Sequence, residues 1–162
     1  MSTHRLFYFD PTEFRGWYER LHPRLAYCLD IFRHMWGSSV IVSPANGAIG
    51  RRDDSQSRHN VNAWGRVEAI DVMPDGLRTA SQAQRAVDKA TQACFTGIGI
   101  YPHWRPDVGM HLDVRGTERP GRPATWGAVD YNRATQSQKR RGRVDGGQVY
   151  VSIEEAIGSF ST

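Results

Sequence analysis

The sequence predicts an α+β domain, a small antiparallel sheet with flanking helices, and three observations carry that reading. Two helical segments precede the first strand. Short apolar, β-branched runs at residues 40–42, 69–72, 97–101 and 110–114 then follow with only one helical segment among them. A doubly wound parallel sheet would instead place a helix after nearly every strand. Third, 162 residues with 39% hydrophobic and 23% charged content suit one soluble core and exclude collagen-like, coiled-coil and wholly disordered chains. Along the chain the expected parts are a main domain over residues 1–133, a basic polar linker over 134–147 and a strand-helix extension over 148–162.

Asp10 before Pro11 reads as an N-cap with proline at the first helical position, opening a short helix with Phe14, Trp17, Tyr18 and Leu21 on one face. The chain restarts at His22 and Pro23. From Arg24 the apolar residues Leu25, Cys28, Leu29, Phe32, Met35 and Trp36 recur at helical spacing, and Gly37 supplies the stop. Val40 to Val42 is a buried strand. The polar stretch from Ser43 to Asn62 is longer than an ordinary connection, which marks it as functional.

A second strand over Ala69 to Val72 ends at Pro74, and a helix from about Ser81 to Ala93 turns Ala83, Val87, Ala90 and Cys94 inward. Gly97 to Tyr101 and Met110 to Val114 are two further strands, the latter after the turn at Pro106 to Gly109. Beyond Trp126 the pattern weakens. Lys139, Arg140, Arg141 and Arg143 cluster in the expected linker as a solvated charge run, and Val149 to Phe160 reads as one strand and a short helix.

Twenty-one Lys and Arg against 17 Asp and Glu give a formal charge of +4, which suits an anionic polymer without specifying nucleic acid, and none is expected as partner. Residues 1–10 contain no apolar leader core and no run of 18 apolar residues occurs, so synthesis in the cytoplasm without membrane insertion is expected. Cys28 and Cys94 lack a neighbouring cysteine and read as reduced core thiols.

Three positions combine metal-binding side chains with rigid backbone: His59, Asp71 and His111. An aspartate in the middle of the apolar run Ala69-Ile70-Asp71-Val72 costs several kcal/mol unless it is paired or bound to a metal. His111 and Asp113 are two apart on a strand and share one face, while Met110, Leu112 and Val114 point to the core. Two imidazoles and one carboxylate form the three-ligand set of catalytic zinc, whose net positive charge lowers the pKa of water toward ~7 and favours hydrolysis. Taken singly, His59 also reads as an exposed loop residue and Asp71 as the cap of a neighbouring turn.

Ser57-Arg58-His59 with Ala69-Ile70-Asp71 is similar to an S-x-H, small-x-D signature. Gly97-Ile98-Gly99-Ile100-Tyr101-Pro102 followed by His111-Leu112-Asp113-Val114-Arg115 looks like its closing G-x-G-x-Y-P and H-x-D-x-R. With these two signatures, and an aromatic at Trp126, residues 7–127 resemble the zinc D-Ala-D-Ala carboxypeptidase family, peptidoglycan peptidases of the hedgehog/DD-peptidase fold. The resemblance implies that His59, Asp71 and His111 hold Zn2+ and that the chain hydrolyses peptide bonds in the stem peptides of peptidoglycan. It points to phage-type members, acting at the cell wall either as a released lysis enzyme or within a virion beside other virion proteins.

The sequence departs from the family pattern in three places. Residues 60–70 make the interval between His59 and Asp71 longer than usual, which places Trp64 either as a cleft wall or as a packing aromatic. The family's serine-glycine-tyrosine-arginine turn is replaced by Ser43-Pro44-Ala45-Asn46-Gly47, leaving Arg51 or Arg52 to bind the substrate carboxylate or the scissile carbonyl. Val108 stands where some relatives place a carboxylate three residues before the last histidine. Asp113 is therefore the first choice as base for the attacking water, with Asp107 and His103 in reserve. Its other role is to orient His111 or pair with Arg115. A rival reading is a non-catalytic virion or wall-binding protein that keeps the fold without turnover.

Overall fold

Capping chemistry starts the helices, and a computed structural model describes residues 5–160 of the chain. The outermost residues of the expected first and last segments, 1–4 and 161–162, lie outside the described residues. Asp10 accepts from the Thr12 amide and opens a 3-10 turn over Pro11–Phe14. Arg15 and Gly16 then take left-handed backbone, φ 48° and 84°, so the single helix expected here is split, with a second 3-10 turn at Tyr18–Arg20. Helix α1, Pro23–Trp36, is capped by the His22 side chain and ended by Gly37 at φ 78°.

Strand β1 is Val40–Val42. It lies at an edge of the sheet, and Ile41 is exposed where a buried strand was expected. A short helix α2, Val61–Trp64, capped by Asn60, was not anticipated. Strand β2, Ala69–Pro74, leads to helix α3, Ala80–Gln92, which a Thr79/Gln82 capping box begins. Strands β3, Gly97–Tyr101, and β4, Gly109–Asp113, match the expected pair, and β5 spans Ala124–Asp130.

The segment expected as a linker is structured. Thr135 and Gln138 form a capping box that starts helix α4, Gln136–Arg141, and β6, Val144–Asp145, forms a hairpin with β7, Gln148–Val151. Helix α5, Ile153–Ile157, closes the described chain. All seven strands belong to one sheet in the order β1-β2-β4-β3-β5-β7-β6, antiparallel except for the β3/β5 pair. The architecture is thus a single α+β domain with an open sheet, larger than the small one expected because β5, β6 and β7 extend it.

Period-two alternation divides that sheet into two faces. Ile70 and Val72 of β2, Met110 and Leu112 of β4, and Ile98 and Ile100 of β3 are fully buried in the core shared with α1 and α3. The opposite face carries Asp71, His111, Gly99 and Trp126 side by side, because the register pairs Asp71 with His111, His111 with Gly99, and Gly99 with Trp126. Cys28 is buried and Cys94 partly buried, and neither is in a disulfide. Among the described residues no helix is long and apolar enough to cross a membrane.

Candidate metal centre

Asp71 and His111 meet because they are direct partners on β2 and β4, and His59 is brought over them by the long polar loop. That loop is tied down by backbone bonds. The Asp71 amide donates to the Ala48 carbonyl at 2.8 Å, and the Arg51 amide donates to the His59 carbonyl at 3.0 Å. Ser57 Oγ accepts from the His59 amide at 3.3 Å, a local reason for serine two residues before this histidine.

Both imidazoles have their tautomers set by what lies behind them. The Ile49 carbonyl can only accept, so His59 Nδ1 carries a hydrogen and donates to it at 2.9 Å. His111 Nε2 donates in the same way to the Asp113 carboxylate at 3.1 Å. The inward atoms are therefore His59 Nε2, His111 Nδ1 and Asp71 Oδ1. They stand 3.2 Å apart for the two nitrogens, 3.3 Å for His59 to Asp71, and 3.0 Å for His111 to Asp71. Ligands about 2.0–2.1 Å from a tetrahedral ion lie ~3.3–3.4 Å from one another, so the triangle is near that size and needs only a slight opening on its shortest side, His111 to Asp71 at 3.0 Å. This group could bind a metal ion.

The electrostatics follow from burial and pairing. Burial works against a charged His111, but the hydrogen bonds it donates to Asp113 and Asp71 outweigh it and push its pKa up to about 9. Burial would raise Asp71, yet the two histidines bring it down to about 2. Asp113 is likewise held well below the usual carboxylate range, against its burial, by Arg115 and His111.

Asp113 shares the face of His111 but is fully buried and does not line the cleft. Its carboxylate fills the space left by the absent side chain of Gly97, where a Cβ would fall 2.3 Å from both oxygens. Arg115 donates to it through Nε at 2.9 Å. The carboxylate thus sits behind His111, out of reach of a reacting group on the cleft side. Asp107 is also outside the cleft, paired with Arg78 at 2.7 Å on an exposed turn. His103 accepts from the Asp130 amide through Nδ1 at 3.1 Å and is absent from the lining.

The cleft over the metal triangle has a volume of about 810 Å³. Arg51 lines it and its Nε is buried without a hydrogen-bond partner. Arg52 does not line it and instead lies 5.9 Å above the Trp17 ring. Trp64 is not part of the wall either. Its Nε1 donates to the Ser57 carbonyl at 3.0 Å and its ring carries the Arg58 guanidinium at 3.8 Å, so Trp64 braces the loop that carries His59.

Several cleft residues escaped the sequence reading. Trp126 Nε1 donates to the Tyr101 hydroxyl at 2.9 Å, and both line the cleft beside His111. Burial pushes the Tyr101 phenol well above its ordinary pKa, which keeps it a neutral hydroxyl. Arg143, Asp145, Gln148 and Tyr150 enter from the β6–β7 hairpin. Tyr101 and Trp126 stood in the motif-like segments without a cleft role, and the glycine at 99 gives the reason they meet, since a Cβ there would lie 2.6 Å from Trp126 and 2.9 Å from Tyr101.

Comparison of the chain with protein-family models, with curated proteins and with solved structures finds no match.

Proposed function

We propose that the chain is a zinc-dependent peptidase that hydrolyses peptide bonds in peptidoglycan stem peptides, as a carboxypeptidase or an endopeptidase. The observation that carries this reading is the triangle of His59 Nε2, His111 Nδ1 and Asp71 Oδ1, with sides of 3.0–3.3 Å, at an open cleft. Borderline nitrogen donors with a single carboxylate suit zinc better than calcium or magnesium, which prefer oxygen ligands. Zinc bound there supplies Lewis acidity for the attacking water and the scissile carbonyl.

The chain's own groups divide the remaining work. Asp113 holds His111 in the tautomer that turns Nδ1 inward, and Arg115 neutralises that buried carboxylate. Tyr101 presents a neutral hydroxyl at the cleft, and Arg51 offers a guanidinium for a substrate carboxylate or carbonyl. Of the carboxylates that line the cleft, Asp71 is taken up as a ligand, which leaves Asp145 as the one free to accept a proton. The natural place of action is the cell wall, reached as a released phage lysin or as part of a virion.

Purified protein is expected to carry about one zinc per chain, as a three-ligand site requires, and to release products from defined muropeptides. A chelator stops the reaction and added zinc restores it, while glycan strands stay intact. New reducing sugars from purified walls with unchanged stems would overturn the assignment. A non-catalytic wall-binding role is favoured by one observation: the carboxylate nearest His111 after Asp71, Asp113, is buried behind it. Zinc binding and muropeptide binding without turnover would select that role.

A further inference from the structure

We infer that Arg143, on the β6–β7 hairpin, is a specificity residue that binds a carboxylate of the substrate peptide. This rests on the peptidase reading and extends it to residues beyond the segment that carries the family-like motifs.

The hairpin is a fixed wall. β7 pairs with β5 over four positions, from Gly127–Val151 to Asp130–Gln148. Gly142, just before β6, leaves no room for a side chain, since a Cβ would fall 2.3 Å from the Tyr150 carbonyl oxygen. The Tyr150 amide donates to the Arg143 carbonyl at 2.8 Å, which anchors the backbone of Arg143 to the sheet. Its guanidinium lies 4.5 Å above the Tyr150 ring, and both residues line the cleft.

The arginines of the cleft differ in how far they are already committed. Arg58 pairs with Glu68 at 2.8 Å, and Arg115 is engaged by the buried Asp113. Arg143 remains 70% exposed and is held only by a long ion pair with the similarly exposed Asp145 at 3.7 Å, beyond hydrogen-bond length and worth little in water. Arg51 makes no ion pair among the described residues. Because β7 lies across β5 and β3 from the strands that hold the metal triangle, Arg143 and Arg51 reach the cleft from different sides. A cleft with an unpaired guanidinium at Arg51 on one side and, on the other, Arg143 held only by a long, exposed ion pair that a ligand can exchange, suits a peptide bearing more than one carboxylate, and Arg143 reads the one away from the ligand loop.

The test uses a stem tetrapeptide and analogues in which one carboxylate at a time becomes a carboxamide, with binding to the purified protein followed by tryptophan fluorescence. One amidation should weaken binding about 2- to 5-fold, as expected for an exposed charge-assisted pair. Arg143→Gln should remove that preference while Arg143→Lys keeps part of it, both with an unchanged melting temperature. Equal binding of all the peptides, or a preference that survives Arg143→Gln, overturns the inference. Binding that depends on Arg143 without turnover defeats the peptidase reading alone. Turnover with selectivity and KM unchanged in Arg143→Gln defeats the inference alone.

Discussion

His111 Nε2 donates to Asp113 at 3.1 Å, and Asp113 has no exposed surface, so the carboxylate acts on whatever His111 holds by fixing which nitrogen faces inward. An asparagine at 113 can present its amide nitrogen to His111 and lose that control. Asp113→Asn is therefore expected to weaken zinc affinity by roughly 10- to 100-fold, with turnover largely recovered in excess zinc. Asp107→Asn, on the exposed Arg78 pair, should leave both near wild type. Loss of turnover in Asp113→Asn at saturating zinc, with metal content intact, would instead make Asp113 the base.

The same carboxylate makes Gly97 a sensitive position. A Cβ there would sit 2.3–2.4 Å from the Asp113 carboxyl group, which is locked by Arg115 and His111 and cannot swing away cheaply. Gly97→Ala should cost about 1–3 kcal/mol of stability through overpacking, together with a loss of zinc affinity. Denaturant unfolding and a zinc titration check both. A variant as stable as wild type with unchanged affinity would show that the carboxylate tolerates the methyl group.

These relationships explain what the sequence could and could not reveal. Asp71 and His111 stood out because each interrupts an apolar strand, a local signal. That they are direct cross-strand partners is a matter of register, which depends on residues far apart in the chain. Gly97 and Gly99 belong to a readable pattern, but its reason lies in Asp113 and in the Trp126 and Tyr101 rings, supplied by neighbouring segments. Helix α4 was missed because Gln136–Arg141 is polar throughout and has no apolar stripe, leaving only the Thr135/Gln138 capping box as a signal. Losing α4 also hid the support of the β6–β7 hairpin, and with it one side of the cleft.

Proton and metal compete for one position. In the metal-free protein a proton on His111 Nδ1 lies between that nitrogen and Asp71 Oδ1, 3.0 Å away, where a metal would be held. With the His111 pKa at about 9, above its ordinary 6.5, zinc must displace this proton at neutral pH. Apparent zinc affinity should rise about tenfold per pH unit toward pH 9, with close to one proton released per zinc, measured by calorimetry in buffers of different ionisation heat. The sign for stability is opposite. A raised folded-state pKa contributes stability that is complete below the ordinary value and lost as pH rises through about 9, so the metal-free melting temperature should fall over that window. A zinc affinity independent of pH would contradict the proton's place in the site.

The two neighbouring arginines provide a test in which residue type is constant and position alone differs. Arg51 lines the cleft with a buried Nε lacking a hydrogen-bond partner, an arrangement that costs free energy unless a ligand or water completes it. Arg52 faces the Trp17 ring at 5.9 Å, away from the metal triangle. If Arg51 binds the substrate, Arg51→Ala removes a charge-assisted pair worth about 1.5–3 kcal/mol, and kcat/KM falls roughly 10- to 100-fold. The backbone of residue 51 pairs with the strand-like segment at His59 and Val61 in either variant, so the ligand loop should survive the substitution and zinc content should not change. Arg52→Ala should alter kcat/KM less than twofold, since an exposed cation–π contact contributes only about 0.5–1 kcal/mol and only to stability. The split between KM and kcat then assigns the role: a rise in KM alone means that Arg51 holds a carboxylate equally in ground and transition states, whereas a fall in kcat means that it meets charge developing at the scissile carbonyl. A reversed ranking, with Arg52→Ala the more damaging, would place the substrate in the groove beside Trp17 instead of over His59 and His111.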